Sequence, residues 1–136
     1  MKYLVDADVL SEPTKPAPTP AIMAWLRRHD AELAVSPVVL GELQYGILLL
    51  SPGKKRERLL EWFAAGSERL NVLDFDAATA AHWAQLLARL RRKGRAMPIK
   101  DSLVAATALQ HGLTVVTHNV ADYRHAGVKL VDPLAG

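Results

Sequence analysis

The sequence contains no cysteine. Disulfides and thiolate metal sites are therefore excluded, and a cytoplasmic protein is the simplest reading. No window approaches about 18 consecutive apolar residues, so no membrane span is expected. The N-terminus has a charge inside its apolar run and does not read as a signal peptide. Internal repeats, low-complexity tracts and any base-reading code are absent too. What is there is a chain of 136 residues, 50% hydrophobic, which suits one compact domain over 1–136 with a real core.

The net charge is +3, and its distribution says more than its total. Lys54, Lys55, Arg56 and Arg58 form one basic cluster; Arg89, Arg91, Arg92, Lys93, Arg95 and Lys100 form another. Solvated helix ends would explain either cluster alone. The acids, however, fall at the ends of expected elements while the bases gather elsewhere. An acidic centre flanked by basic ground suits a polyanion cut with metal help.

The chain is organised around KYLVDADVLSE, Lys2 to Glu12. Tyr3, Leu4 and Val5 read as a buried parallel strand that ends in Asp6 and Asp8. PTKPAPTP, residues 13–20, reads as a stiff extended connection in which no helix survives. Thr19-Pro20 then starts a helix with Ile22, Met23, Trp25 and Leu26 on its apolar face. Leu33 to Val35 is a second strand, and Ser36-Pro37 caps a helix bearing Val38, Val39, Leu43, Ile47 and Leu50 with Glu42 among them. Ser51-Pro52-Gly53 is a turn, followed by a helix over 54–66. Leu70 to Leu73 is a third strand, and Asp76 caps a long helix running through Trp83, Leu86, Leu87 and Leu90 to Gly94. Asp101 opens a small-residue helix closed by Gly112. Strands follow at 113–116 and, at an edge, 128–131. Strands alternating with helices predict right-handed crossovers and a mostly parallel sheet of four to five strands covered on both faces.

Four acids stand where such a fold would gather them: Asp6, Glu42, Asp101 and Asp122. Oxygen-only ligands favour a hard cation, Mg²⁺ or Mn²⁺. Crowded carboxylates without one should show raised pKa values. Each acid also has a duller reading. Asp101 works as an N-cap, Asp122 as a solvated loop acid, and Glu42 as half of a salt bridge to Lys100. Asp8 either assists the metal through water or caps the turn after the strand. Thr117 and Asn119 supply hydrogen bonds to carboxylate or phosphate, or simply bond within their own turn. His111, His118 and His125 read as surface residues, and the three tryptophans as core or interface.

VDADVLSE, SPVVLGELQYGI and PIKDSLVAATALQHGLTVVTHNVADY together resemble the PIN-domain ribonucleases of the VapC toxin type. The resemblance spans nearly the whole chain in order. It implies an α/β/α sandwich with a parallel sheet, and a Mg²⁺- or Mn²⁺-dependent endoribonuclease that acts as the toxin of a toxin–antitoxin pair. Its acidic quartet falls on Asp6, Glu42, Asp101 and Asp122, with Thr117 and Asn119 in support. It also implies a homodimer and a cognate antitoxin whose C-terminal segment covers the active site, with the 21–26 and 54–63 helices as docking surfaces. Asp8 departs from the family, which often has asparagine or serine there. Two rival readings remain: a PIN fold that binds RNA or protein without cutting, and an aspartate-nucleophile phosphatase built on Asp6-Ala7-Asp8 with Lys100.

Overall fold

A computed structural model describes residues 1–134; Ala135 and Gly136, the end of the expected domain, lie outside the described residues. Five strands, β1 (Tyr3–Val5), β2 (Leu33–Val35), β3 (Asn71–Val72), β4 (Thr114–Val116) and β5 (Leu130–Val131), form one sheet in the order β3-β2-β1-β4-β5. Every pairing is parallel. Tyr3 stands between Leu33 and Thr114, and Val5 lies opposite Val116. Chain order reverses between β1 and β4, and a crevice at the carboxyl ends of such strands is where open α/β sheets hold ligands.

Seven α-helices accompany the strands: α1 (Ala7–Leu10), α2 (Pro20–Arg28), α3 (Pro37–Leu48), α4 (Lys54–Arg69), α5 (Ala77–Arg92), α6 (Ile99–His111) and α7 (Val120–Tyr123). Alternation along β1 divides the core between the two faces of the sheet. Leu4 turns to a cluster with Val39, Leu86, Leu90, Val104, Ala105 and Val115. Tyr3 and Val5 turn to the other, with Val9, Ile22, Trp25, Leu26 and Val116. The expected three-layer α/β/α sandwich is therefore present, with all five strands parallel.

Local chemistry fixes the helix ends. Ser36 Oγ accepts from the Val38 amide at 3.1 Å, and Asp76 forms a reciprocal capping box with Thr79. Gly112 closes α6 at φ 65°, a left-handed conformation that costs glycine nothing. Small buried residues on α6, Ala105, Ala106 and Ala108, let it lie close to its neighbours. Trp83 Nε1 donates to Ser102 Oγ at 2.9 Å and ties α5 to α6.

Several expectations need correction. α6 begins at Ile99, so Asp101 is its third residue and not its cap; Pro98 takes the cap position. The 13–20 segment is not wholly extended, because Glu12–Thr14 makes a 3₁₀ turn with Pro13 in its first positions. The apolar face of residues 21–26 is no docking surface: Ile22, Trp25 and Leu26 are buried against β1 and β2. By contrast, α4 has no fully buried residue.

Glu12 explains how the proline-rich connection is held. Its side chain is buried, accepts from the Thr19 amide at 2.8 Å and pairs with Lys15 Nζ at 2.7 Å. The Lys15 and Thr19 bonds hold its pKa down at about 2, against an ordinary 4.5. A depressed carboxyl contributes stability above its unfolded pKa and loses it as pH falls through the folded value. Glu12→Gln should therefore lower the urea midpoint near neutral pH, and its deficit against wild type should shrink between pH 4.5 and about 2. A deficit that stays constant across that window would assign Glu12 a packing role instead.

Candidate active site

β1 and β4 end side by side, and the next residue of each strand carries a functional group. The Asp6 amide still donates to Val116 O at 2.9 Å, so the ladder continues until Asp6 itself. Asp6 as a residue is only 5% exposed. Such a group persists in the charged state only with donors around it. Asp6 has them on both oxygens: Oδ1 accepts from the Ala7 amide at 2.9 Å, and Oδ2 accepts from Thr117 Oγ1 and from the Tyr123 hydroxyl, each at 3.0 Å.

Tyr123 was not among the residues expected to matter. Fully buried at the end of α7, its hydroxyl also faces Asp101 Oδ1 at 3.3 Å. One phenolic proton is thus shared between two carboxylates. Burial, reinforced by Asp6 and Asp101, pushes its pKa above the ordinary tyrosine range, so the phenol remains a donor. The signal in the sequence was slight: a tyrosine directly after Asp122.

The first turn of α6 presents Asp101. Burial first, then the charges of Asp6, Asp122 and Glu42, push its pKa up to about 6, while the Tyr123 bond pulls the other way. Asp6, Asp122 and Glu42 therefore all act on Asp101. Glu42 comes from the middle of α3 and pairs with Lys100 Nζ at 3.5 Å, the salt bridge considered from sequence. Asp122 is exposed on α7 and reaches Asp101 through its charge. Among the described residues, no three acidic or histidine side chains already form a cage tight enough for an ion.

Asp8, in the first turn of α1, adds a fifth carboxylate. Its Oδ2 accepts from the His118 amide at 2.9 Å and lies 3.3 Å from Thr117 Oγ1. Burial and the Asp6 charge raise its pKa. Thr117 thus bonds to carboxylates, as one of its two readings held. Asn119 contributes its backbone amide, which donates to Thr117 Oγ1 at 3.0 Å; its side chain bonds to none of these acids among the described residues. His118 is half-buried rather than freely exposed: Nδ1 lies 2.8 Å from Asp132 Oδ1, and Nε2 is buried without a partner among the described residues. Burial opposes ionisation of Asp132, but the bonds from His118 and the Leu134 amide outweigh it and lower its pKa.

An open cleft of about 440 Å³ leads away from this rim, lined by Asp8, Glu42, Gly46, Lys55, Leu59 and Trp62. The cleft can accept an extended polar ligand beside these carboxyl groups.

Residues 3–128 match the family model described as PIN domain. The chain belongs to the PIN-domain family. Toxin FitB of Neisseria gonorrhoeae is 34% identical over 134 residues, covering 96% of each chain. VapC ribonuclease Y4jK of Sinorhizobium fredii is 30% identical, again over 96% of each. The crystal structure of FitAcB from Neisseria gonorrhoeae superposes with a TM-score of 0.91 at 33% identity, covering 97% of this chain and 98% of that one. This PIN domain is of the VapC type.

The raised Asp101 pKa carries a stability consequence with a definite sign. Between the ordinary 3.8 and about 6 the folded state binds the Asp101 proton more tightly than the unfolded chain, so stability falls as pH rises through that window. Asp101→Asn in this PIN domain should therefore stabilise it near neutral pH in chelator, by about 1–2 kcal/mol once solvent screening of a half-exposed group is allowed for. Tyr123→Phe should move the Asp101 titration further upward, read by carboxyl ¹³C shifts. Identical urea midpoints for Asp101→Asn and wild type would mean that neither burial nor the neighbouring acids penalise the Asp101 charge.

Proposed function

We propose that this protein is a divalent-metal-dependent endoribonuclease that hydrolyses RNA phosphodiester bonds as the toxin of a toxin–antitoxin pair. The observation that carries the reading is the gathering of Asp6, Glu42 and Asp122 near Asp101, whose pKa burial and their charges push up to about 6. Negative charge in excess, offered by oxygen atoms alone, fits a hard cation such as Mg²⁺ or Mn²⁺. Asp6, Asp101, Glu42 and Asp122 would hold it. When bound, such an ion neutralises phosphate charge and acidifies water.

The chain's own groups do the rest. Thr117 and Tyr123 donate to Asp6 Oδ2 and fix its carboxylate plane. Release of the Asp101 proton near pH 6 leaves that oxygen a ligand at neutral pH. Lys100 balances Glu42 from an exposed position and can exchange to a phosphate oxygen. A direct nucleophilic role for Asp6, as in the phosphatase reading, conflicts with its burial and with donors on both oxygens.

The VapC-type likeness favours a cognate antitoxin as partner, and we take cytoplasmic action on RNA and a homodimeric working unit as part of the same proposal. Tyr45, Leu48 and Leu49 leave exposed apolar surface on and just after α3, which a second subunit or the antitoxin would cover.

Purified protein should cleave RNA in Mn²⁺ or Mg²⁺ and stop in chelator, leaving 3′-hydroxyl and 5′-phosphate ends. Asp6→Asn and Asp101→Asn should each lower the rate by about a hundredfold or more, since each removes a charged oxygen from the ion's surroundings. Cyclic-phosphate ends would require the RNA 2′-hydroxyl as nucleophile and would overturn the mechanism. Equal cleavage by wild type and Asp6→Asn would trace the activity to a contaminant and favour a non-cleaving module.

A further inference from the structure

The basic run that ends α5 does not lie on an isolated helix tip. Arg89 Nη2 donates to Ala126 O at 2.6 Å, and a Cβ at Gly127 would stand 3.2 Å from the same nitrogen. With φ at +77°, position 127 also favours glycine on backbone grounds. The turn after α7 is thus pressed flat onto the last turns of α5. Arg89 is thereby engaged internally, and the bases beyond it face a second set of bases.

Lys93 caps α5 and Arg95 follows in the loop to α6; Arg124 and His125 stand on the clamped turn. Arg124 Nε donates to His125 Nε2 at 3.2 Å, which makes that nitrogen an acceptor and the ring neutral. Burial, then Arg95, Arg124 and Lys93, hold the His125 pKa below its usual value. Bases at the end of α5 alone would be ordinary complements to its dipole. Arg124 belongs to a different element, so that explanation does not reach it. Lys93, Arg95 and Arg124 are all exposed, and none is in a salt bridge among the described residues.

Position gives the cluster its meaning. Arg124 follows Tyr123, whose hydroxyl touches Asp6 and Asp101, and stands two residues after Asp122. Arg95 lies on the loop that leads into the first turn of α6 and Asp101. Repelled cations with no protein counterion, beside a centre that itself repels anions, suit a polyanion that must be held close to that centre. We propose that Lys93, Arg95 and Arg124, with neutral His125 between them, form a phosphate-binding ridge that holds the RNA backbone next to the scissile bond, on the Asp101 and Asp122 side of the site. The assignment rests on the endoribonuclease reading and adds to it a place where substrate is gripped without being cut.

The test compares the full-length triple variant Lys93→Ala/Arg95→Ala/Arg124→Ala with wild type and with Arg27→Ala/Arg28→Ala/Arg69→Ala. The second set removes as much charge from the ends of α2 and α4, where the chain enters β2 and β3 at the opposite edge of the sheet. Anisotropy of a labelled single-stranded RNA is read in chelator across a salt series, and kcat and KM are read in Mn²⁺. The ridge variant should bind about tenfold or more weakly at low salt. Its slope of log affinity against log salt should be shallower by about 2, at roughly 0.7 per lost phosphate contact. Its cleavage defect should lie in KM, and the control should stay within about twofold of wild type. Equal slopes for the two variants would overturn the ridge. So would unchanged RNA binding together with lost binding of the cognate antitoxin, which would make the surface a protein interface. A wild type that leaves RNA uncut in Mn²⁺ strikes the nuclease reading itself, whereas the ridge is judged on the binding slopes.

Discussion

Where β1 and β4 end together, the sheet forces Asp6 to stop at the edge of a packed core with its carboxylate almost out of water. A charge so placed must be answered by hydrogen bonds, and the surrounding chain is arranged to supply them. Thr117 is the residue after β4, so the register of β1 against β4 is itself what puts its hydroxyl 3.0 Å from Asp6. Tyr123 needs the short helix α7 to turn its ring into the core and bring the hydroxyl back to the same oxygen. The fold and the site are therefore not separable here. A slip of one residue between β1 and β4 would send Thr117 to the wrong face and leave Asp6 with its own helix amide alone.

These donors answer Asp6 but not the assembly. Thr117 and Tyr123 are neutral, and Tyr123 divides one proton between two acids. The repulsion shows at Asp101, whose pKa is pushed up to about 6 by burial first and then by the charges of Asp6, Asp122 and Glu42. Lys100 offsets Glu42 only from the solvent side. Asp8 adds to the charge and is steadied by the His118 amide, and His118 is in turn fixed by Asp132 at the end of β5. That series of contacts links the C-terminal strand to the rim, a role for β5 beyond closing the sheet.

Much of this was readable in the residues. β1, β2 and β4 are short apolar runs bounded by polar residues, the pattern of buried parallel strands, and Ser36, Asp76 and Gly112 mark helix ends by plain backbone chemistry. Asp6, Asp101 and Asp122 drew notice at the ends of expected elements, and Glu42 as a lone acid among apolar neighbours on its helix. Other features were hidden for physical reasons. Ala7–Leu10 and Val120–Tyr123 are each a single turn, too short to show any period. Asp101 seemed to cap α6, but proline at 98 already fixes the backbone there and the helix starts before the acid. His118 and Asp132 are far apart in sequence and meet only through the β4–β5 register. The apolar face of α2 announced burial without naming its cover. That cover is β1 itself, to which the helix is returned by the connection anchored at Glu12.

The same electrostatics relate stability to occupancy. Donors can hold one buried carboxylate in place, yet each further acid raises the cost of ionising the last, so part of the charge is held off by a proton at Asp101. On the proposed function, a cation held by these acids would favour the ionised form of Asp101, so its binding and that deprotonation would be thermodynamically linked. Stability gained from the ion would then grow with pH over the window in which Asp101 ionises, because only there do proton and ion compete. The bases stay outside this exchange. Lys93, Arg95 and Arg124 stand too far from the acids to form ion pairs among the described residues, and a cation that neutralised the carboxylates from within the protein would compete with the metal. On the proposed function, that separation would leave the acid centre, apart from Glu42 with its Lys100, to an ion and the basic border to phosphate.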